Sequence, residues 1–183
     1  MDLTKKNLEK YLEHSHKGDN LEFVQEYNKA LVAEYPFLKP NGYFYYSWDV
    51  NAGPEEYKYD LTWLDDMPDG WRLAFGMDMM ADLKFTLEQY QCMDKFVVEQ
   101  VKEKYGSLRW YSTLPCEEVA HIINKYENLS YRICITCGNP AMYQSTGWIC
   151  PYCKHCAESL FNGNYKKFYS SDIKFDDCFK KFD

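Results

Sequence analysis

Apolar residues along the chain fall into helical stretches separated by one alternating stretch. In 4–16, Leu8, Tyr11 and Leu12 share one side, which predicts a short helix. Lys17-Gly18-Asp19-Asn20 is a break with a capping residue. A second helix carries Leu21, Val24, Tyr27, Leu31 and Tyr35, and Pro36 ends it by disfavouring helical geometry in the residue before it. The strongest apolar face, Leu73, Met77, Met80, Leu83, Leu87 and Tyr90, predicts a helix over 69–91. Over 95–113 the period drops to two: Phe96, Val98 and Gln100 alternate with Val97, Glu99 and Val101, then Leu108 and Trp110 with Arg109 and Tyr111. The intervening Tyr105-Gly106-Ser107 predicts a hairpin turn. A last helix runs from Pro115 to Tyr131 with Val119, Ile122, Ile123, Tyr126 and Leu129. Pro115 is placed in its first turn, with Glu117 and Glu118 near the start.

This order predicts an α+β fold, helices packed on a small antiparallel hairpin or sheet, with a C-terminal zinc-binding module. A lone hairpin is marginal, so it must pack on helices or gain a strand from 36–68. The expected organisation is N-terminal helices over 1–35, an α+β core over 36–130, a metal module over 131–162, and a tail or short helix over 163–183.

Composition singles out the segment 36–68. The chain holds 17 Tyr, 11 Phe and 5 Trp, densest over 43–63, where prolines and glycines break any regular element. Such rings either pin a long loop to the core or form a contact surface; Tyr45, Tyr46, Trp48 and Trp63 are the candidate contacts. The formal net charge of -7 is concentrated in residues 34–94, with 12 acidic and 4 basic side chains. That argues against nonspecific wrapping of a phosphate backbone and suits a surface competing for a basic partner.

The cysteines carry the clearest chemistry. Cys134-Ile-Thr-Cys137-Gly138 is followed by Cys150-Pro-Tyr-Cys153-Lys-His-Cys156. Thiolates two residues apart can face one ion from a tight turn, and four complete a tetrahedral shell. Cys150, Cys153 and Cys156 are equally spaced, so two second pairs are open. Fifteen residues separate Cys137 from Cys153, within the usual spacing, and the residues after Cys156 read as a helix start. Cys134, Cys137, Cys153 and Cys156 are therefore the expected ligands of one structural Zn²⁺, in an order resembling a treble clef; Cys150 in place of Cys156 is the main alternative, and His155 a lesser one. An iron–sulfur cluster uses the same four thiolates and fits the same spacing. Cys92, Cys116 and Cys178 read as small buried hydrophobes.

Weaker candidates follow. His14 and His16 read as surface residues, and His121 as partly buried. Asp78 and Asp82, one turn apart, read as a solvated helix face. Lys102, Lys104, Arg109, Trp110 and Tyr111 form a basic-aromatic hairpin able to clamp single-stranded DNA or RNA, although Glu99 and Glu103 lie among them. There is no apolar run long enough for a membrane span and no secretory signal pattern at the start, so a cytoplasmic protein is expected. No nucleophile triad, P-loop or dinucleotide fingerprint is present, so the chain is not expected to be an enzyme.

Three stretches carry a resemblance: Glu34-Tyr35-Pro36-Phe37-Leu38; Trp63-Leu64-Asp65-Asp66-Met67-Pro68-Asp69-Gly70-Trp71-Arg72-Leu73-Ala74-Phe75-Gly76; and Val101 to Tyr111. With the C-x-x-C-G, Ser145-Thr146-Gly147-Trp148-Ile149 and second C-x-x-C, residues 34–158 resemble a family of small phage and prophage proteins. In that family the position of Cys150 is often not cysteine, which supports Cys153 and Cys156. The resemblance implies a mobile-element setting in a bacterial host and no defined activity. The expected function is binding to a host protein, as a stoichiometric inhibitor of a nucleic-acid-targeting defence nuclease such as a CRISPR effector. Its alternative is a nucleic-acid-binding accessory protein using the zinc module and the hairpin.

Overall fold

Thr4 and Gly18 bracket the first helix. Thr4 accepts a hydrogen bond from Asn7 N, and Gly18 takes the left-handed conformation that closes α1 (Lys5–Lys17). These details come from a computed structural model, which describes residues 1–40 and 60–167. The candidate contacts Tyr45, Tyr46 and Trp48, and Cys178, lie outside the described residues. Helix α2 (Leu21–Glu34) packs on α1, placing Tyr11 and Tyr27 rings 4.8 Å apart; it ends before Pro36, as the sequence predicts, and Pro36 opens a short 3₁₀ turn, Pro36–Leu38.

A second 3₁₀ turn, Trp63–Asp66, leads into α3. This helix has a first turn Asp69–Trp71, a π-helical stretch Arg72–Gly76 and an α-helical body Met77–Gln89. The extra residue per turn in the π stretch shifts the phase of the apolar face. Phe75, Met79, Met80, Leu83 and Leu87 are buried, while Leu73 and Met77 are only partly so and Tyr90 is exposed. A 3₁₀ turn (Met93–Lys95) then precedes the hairpin.

Strands β1 (Val98–Lys104) and β2 (Ser107–Ser112) pair antiparallel, with a bulge between Val98 and Gln100. The bulge switches the strand's facing, so Val98 and Val101 are both buried, the latter opposite Trp110. The hairpin packs on α4 (Glu117–Ser130) and the Trp63–Asp66 turn. Two side chains of α4 cover the outer edge of β2: Leu108 N donates to Ser130 Oγ and Trp110 N to Glu127 Oε1, each at 2.8 Å. Helix α4 begins later than expected. Cys116 is its N-cap, so Pro115 lies outside the first turn. Asp82 ties α3 to α4 by accepting from Lys125 Nζ at 2.8 Å and Tyr126 OH at 2.7 Å. His121 is exposed, not partly buried. His14 bonds Asp19 and His16 bonds Asp69, each at 2.6 Å.

The last part holds β3 (Tyr143–Ser145), β4 (Pro151–Tyr152), α5 (Lys154–Phe161) and β5 (Tyr165–Lys167), with sheet order β4-β3-β5. Residues 165–167 were expected in a tail or short helix. They are a strand because β3 offers a free edge to pair with. The fold is thus α+β, five helices with two small antiparallel sheets among the described residues. No helix among them is long and apolar enough to cross a membrane.

The Trp63–Gly76 string is largely spent on this architecture. Trp63, Leu64, Met67, Trp71 and Phe75 enter the core. Asp65 caps its own turn by accepting from Thr62 N at 2.6 Å, and also accepts from Tyr11 OH and, at 3.3 Å, from Arg72 Nη1. Asp65 and Arg72 are both almost fully buried, so each charge depends on the other to offset lost hydration.

Candidate metal centre

Cys134 and Cys137 lie on a tight turn closed by Gly138. Gly138 N donates to Cys134 O at 3.0 Å, and Gly138 adopts φ +76°, a left-handed conformation that glycine reaches without strain. Cys153 is the N-cap of α5, its sulfur accepting from Cys156 N at 3.4 Å, and Cys156 sits in the first turn. The ladder β3–β4 lies between the two pairs, and Ile135 N donates to Pro151 O at 3.0 Å, drawing them together.

The four sulfurs all lie within 4.8 Å of one another and can hold a metal ion. Cys137 Sγ and Cys153 Sγ are 3.6 Å apart. Cys134, Cys153 and Cys156 are buried and Cys137 partly so. The N–H of Cys156 and, at 3.3 Å on Cys137 Sγ, the amide of Asn139 direct positive dipoles at sulfur, and the N-terminus of α5 adds to them. Cys150 is outside this cluster. It is buried against the hairpin, where burial, and next the Glu103 carboxylate, push its thiol up to about 12. A thiol so held stays protonated and acts as a small apolar side chain. His155 is likewise outside the cluster.

The metal module is joined to the core without a spacer. Gly70 N donates to Ile135 O at 2.9 Å, and Trp71 Nε1 to Ile133 O at 3.2 Å. A Cβ on Gly70 would lie 2.1 Å from Cys134 O. The first turn of α3 thus rests directly on the backbone that carries the first cysteine pair.

The other expected contacts are dispersed. Trp63 and Trp110 are 5% and 4% exposed. This corrects the expectation that they form a contact surface: both rings are core, Trp110 because it faces Val101 and Trp63 because its 3₁₀ turn packs under the hairpin. Lys102 donates to Gln100 Oε1 at 2.5 Å, and Lys104 is exposed. Arg109 donates to Tyr131 OH at 3.3 Å and lies 3.7 Å from Glu127. Trp148, which the sequence places only in the resemblance and not among the expected contacts, stands out instead. Trp148 is 68% exposed, although its Nε1 donates to Glu103 Oε2 at 2.8 Å; Glu103 Oε1 also accepts from Gly106 N at 2.6 Å. The signal was Gly147-Trp148, a large ring in a turn with no apolar partner in register.

The chain matches no family model, no curated protein and no solved structure.

Proposed function

We propose that Cys134, Cys137, Cys153 and Cys156 bind one structural Zn²⁺ in a treble-clef-like module, and that the protein acts by binding, not by chemistry at the metal. The observation that carries this is the closed donor set. Zinc–sulfur bonds of about 2.3 Å set tetrahedral sulfur–sulfur edges of about 3.8 Å, close to the 3.6 Å between Cys137 and Cys153. Four protein thiolates leave no coordination position for water or substrate. The metal's task is then to hold the surfaces that surround it.

The binding reading is a phage- or prophage-type accessory protein that occupies a nucleic-acid-targeting defence nuclease in the cytoplasm of a bacterial host. Its support is the acidic stretch 34–94, with charge of the sign a nucleic-acid groove attracts, together with the phage-family resemblance. The test is affinity capture from host lysate, followed by a cleavage assay of the captured nuclease. Inhibition complete near one molecule per nuclease is expected; capture of no nuclease, or captured nuclease cleaving at full rate, overturns the reading.

A further inference from the structure

We infer that the solvent face of the hairpin, together with Trp148, is a binding surface for single-stranded nucleic acid. This goes beyond the host-protein reading and rests on different residues.

The hairpin register sorts the side chains by face. Val101 lies opposite Trp110 and Glu103 opposite Leu108, on the face turned to the core; Lys102 lies opposite Arg109 and Gln100 opposite Tyr111, on the face turned to water. Between Gln100 and Lys104, and from Ser107 to Tyr111, the outer face carries Lys102, Lys104 and Arg109 and no carboxylate. Glu103, which in sequence interrupts the basic run, lies on the other face, where it accepts from Gly106 N and, beside the turn, from Trp148 Nε1, so this carboxylate borders the indole. Glu127 of α4, whose Oε2 lies 3.7 Å from Arg109 Nη1, offsets that cation, which leaves Lys102 and Lys104 as the cations of this face.

Aromatic rings accompany those cations. Lys102 Nζ is 5.0 Å from the ring centre of Tyr111, and Lys104 Nζ is 5.6 Å from that of Tyr105. Tyr105, at the turn, is 69% exposed and matches Trp148; they are the two most exposed aromatic side chains among the described residues. Both flank one backbone contact, since a Cβ on Gly106 would lie 2.9 Å from Ile149 O. The Trp148 ring is not loosely placed. Glu103 anchors the indole N–H, while Ser145 Oγ donates to Trp148 O and accepts from Cys150 N. Held by these bonds, the indole is still 68% exposed. An exposed indole can stack on an unpaired base, and Lys102 and Lys104 can meet the phosphate chain that carries it.

The test uses the full-length zinc-loaded protein and fluorescein-labelled oligonucleotides of about 20 nucleotides, poly-dT, poly-rU and a duplex, read by anisotropy at about 50 mM salt and above. Saturable binding of the single strands is expected, stronger than to the duplex. W148A and Y105A should each weaken binding about tenfold, and the K102A/K104A double variant should lower the salt slope by about one to two. Unchanged zinc content and melting temperature show that the variants fold; if W148A does not, Y105A and K102A/K104A decide. Absence of binding to either single strand at low salt overturns the proposal. So does equal affinity for duplex, or binding that the folded variants leave unaltered. No host protein is present in the assay, so its failure leaves the nuclease reading standing, and a failed capture leaves this one standing.

Discussion

Gly70 and Gly138 meet face to face where the helical core joins the metal module: a Cβ on Gly138 would lie 2.7 Å from Gly70 O. Gly70 opens α3 and Gly138 closes the Cys134–Cys137 turn, so neither backbone can retreat without moving the other. In an ordinary helix position Gly→Ala adds stability. Here Gly70→Ala is expected to cost about 3 kcal/mol, because the new methyl meets the Cys134 carbonyl and not a yielding side-chain end. Urea denaturation of the variant checks this, and unchanged stability would show that the join is looser than these distances.

Metal removal should be felt outside the cysteines. Ile133 is fully buried in the helical core and its carbonyl holds Trp71 Nε1. Elemental analysis is expected to find about one zinc per chain, falling to none in Cys153→Ser. Binding free energy of the order of 10 kcal/mol is folding free energy in such sites, so chelation should lower the melting temperature of the entire described fold in one transition. A second transition left at the original temperature would mean that the module melts alone.

Cys150→Ser separates the two ligand assignments. With Cys150 as a buried thiol outside the cluster, the variant retains one zinc and loses about 1–2 kcal/mol, the cost of burying a hydroxyl where a thiol stood. Loss of zinc in this variant would instead make Cys150 a ligand.

Asp66 gives the fold a pH dependence. Burial, and next the Asp65 carboxylate, push its carboxyl from 3.8 up to about 7. The folded chain therefore holds this proton more tightly than the unfolded chain. That stabilisation is complete below about pH 4 and is lost as pH rises to about 7. Asp66→Asn keeps the group neutral, so it should flatten this decline and gain about 2 kcal/mol at pH 8, after allowance for the water that reaches a half-buried side chain. Denaturation at pH 5 and pH 8 measures it; parallel losses in variant and parent would exclude Asp66 as the cause.

Helix existence was readable from apolar spacing because α1, α2 and α4 each bury one stripe of the regular period. Helix α3 starts at Asp69, as the spacing predicts, but the phase of its apolar face was not readable. Its π stretch at Arg72–Gly76 puts Leu73 and Met77 out of step with the buried stripe, and no spacing rule anticipates an inserted residue. The bulge at Val98–Gln100 had the same effect on β1, burying Val98 and Val101 together where strict alternation places them on opposite faces. For the cysteine cluster, spacing left two second pairs open, and the helix start after Cys156 pointed to the four sulfurs that the fold brings together. For Trp63 and Trp110 composition misled: aromatic density does not distinguish a ring that pins a loop from one that meets a partner. Trp148 was not among the expected contacts because its partner, Glu103, is distant in sequence.

The edge of β2, with Leu108 N and Trp110 N bonded to Ser130 Oγ and Glu127 Oε1, has a consequence for aggregation. A hairpin with free edge donors is a template on which another copy can add a strand. In this chain a neighbour would have to displace two side chains of α4 before it could make its first ladder bond there. Partially unfolded molecules that lose α4 are then the species to fear in concentrated solution, and truncations ending before Glu127 expose the edge that the intact chain conceals.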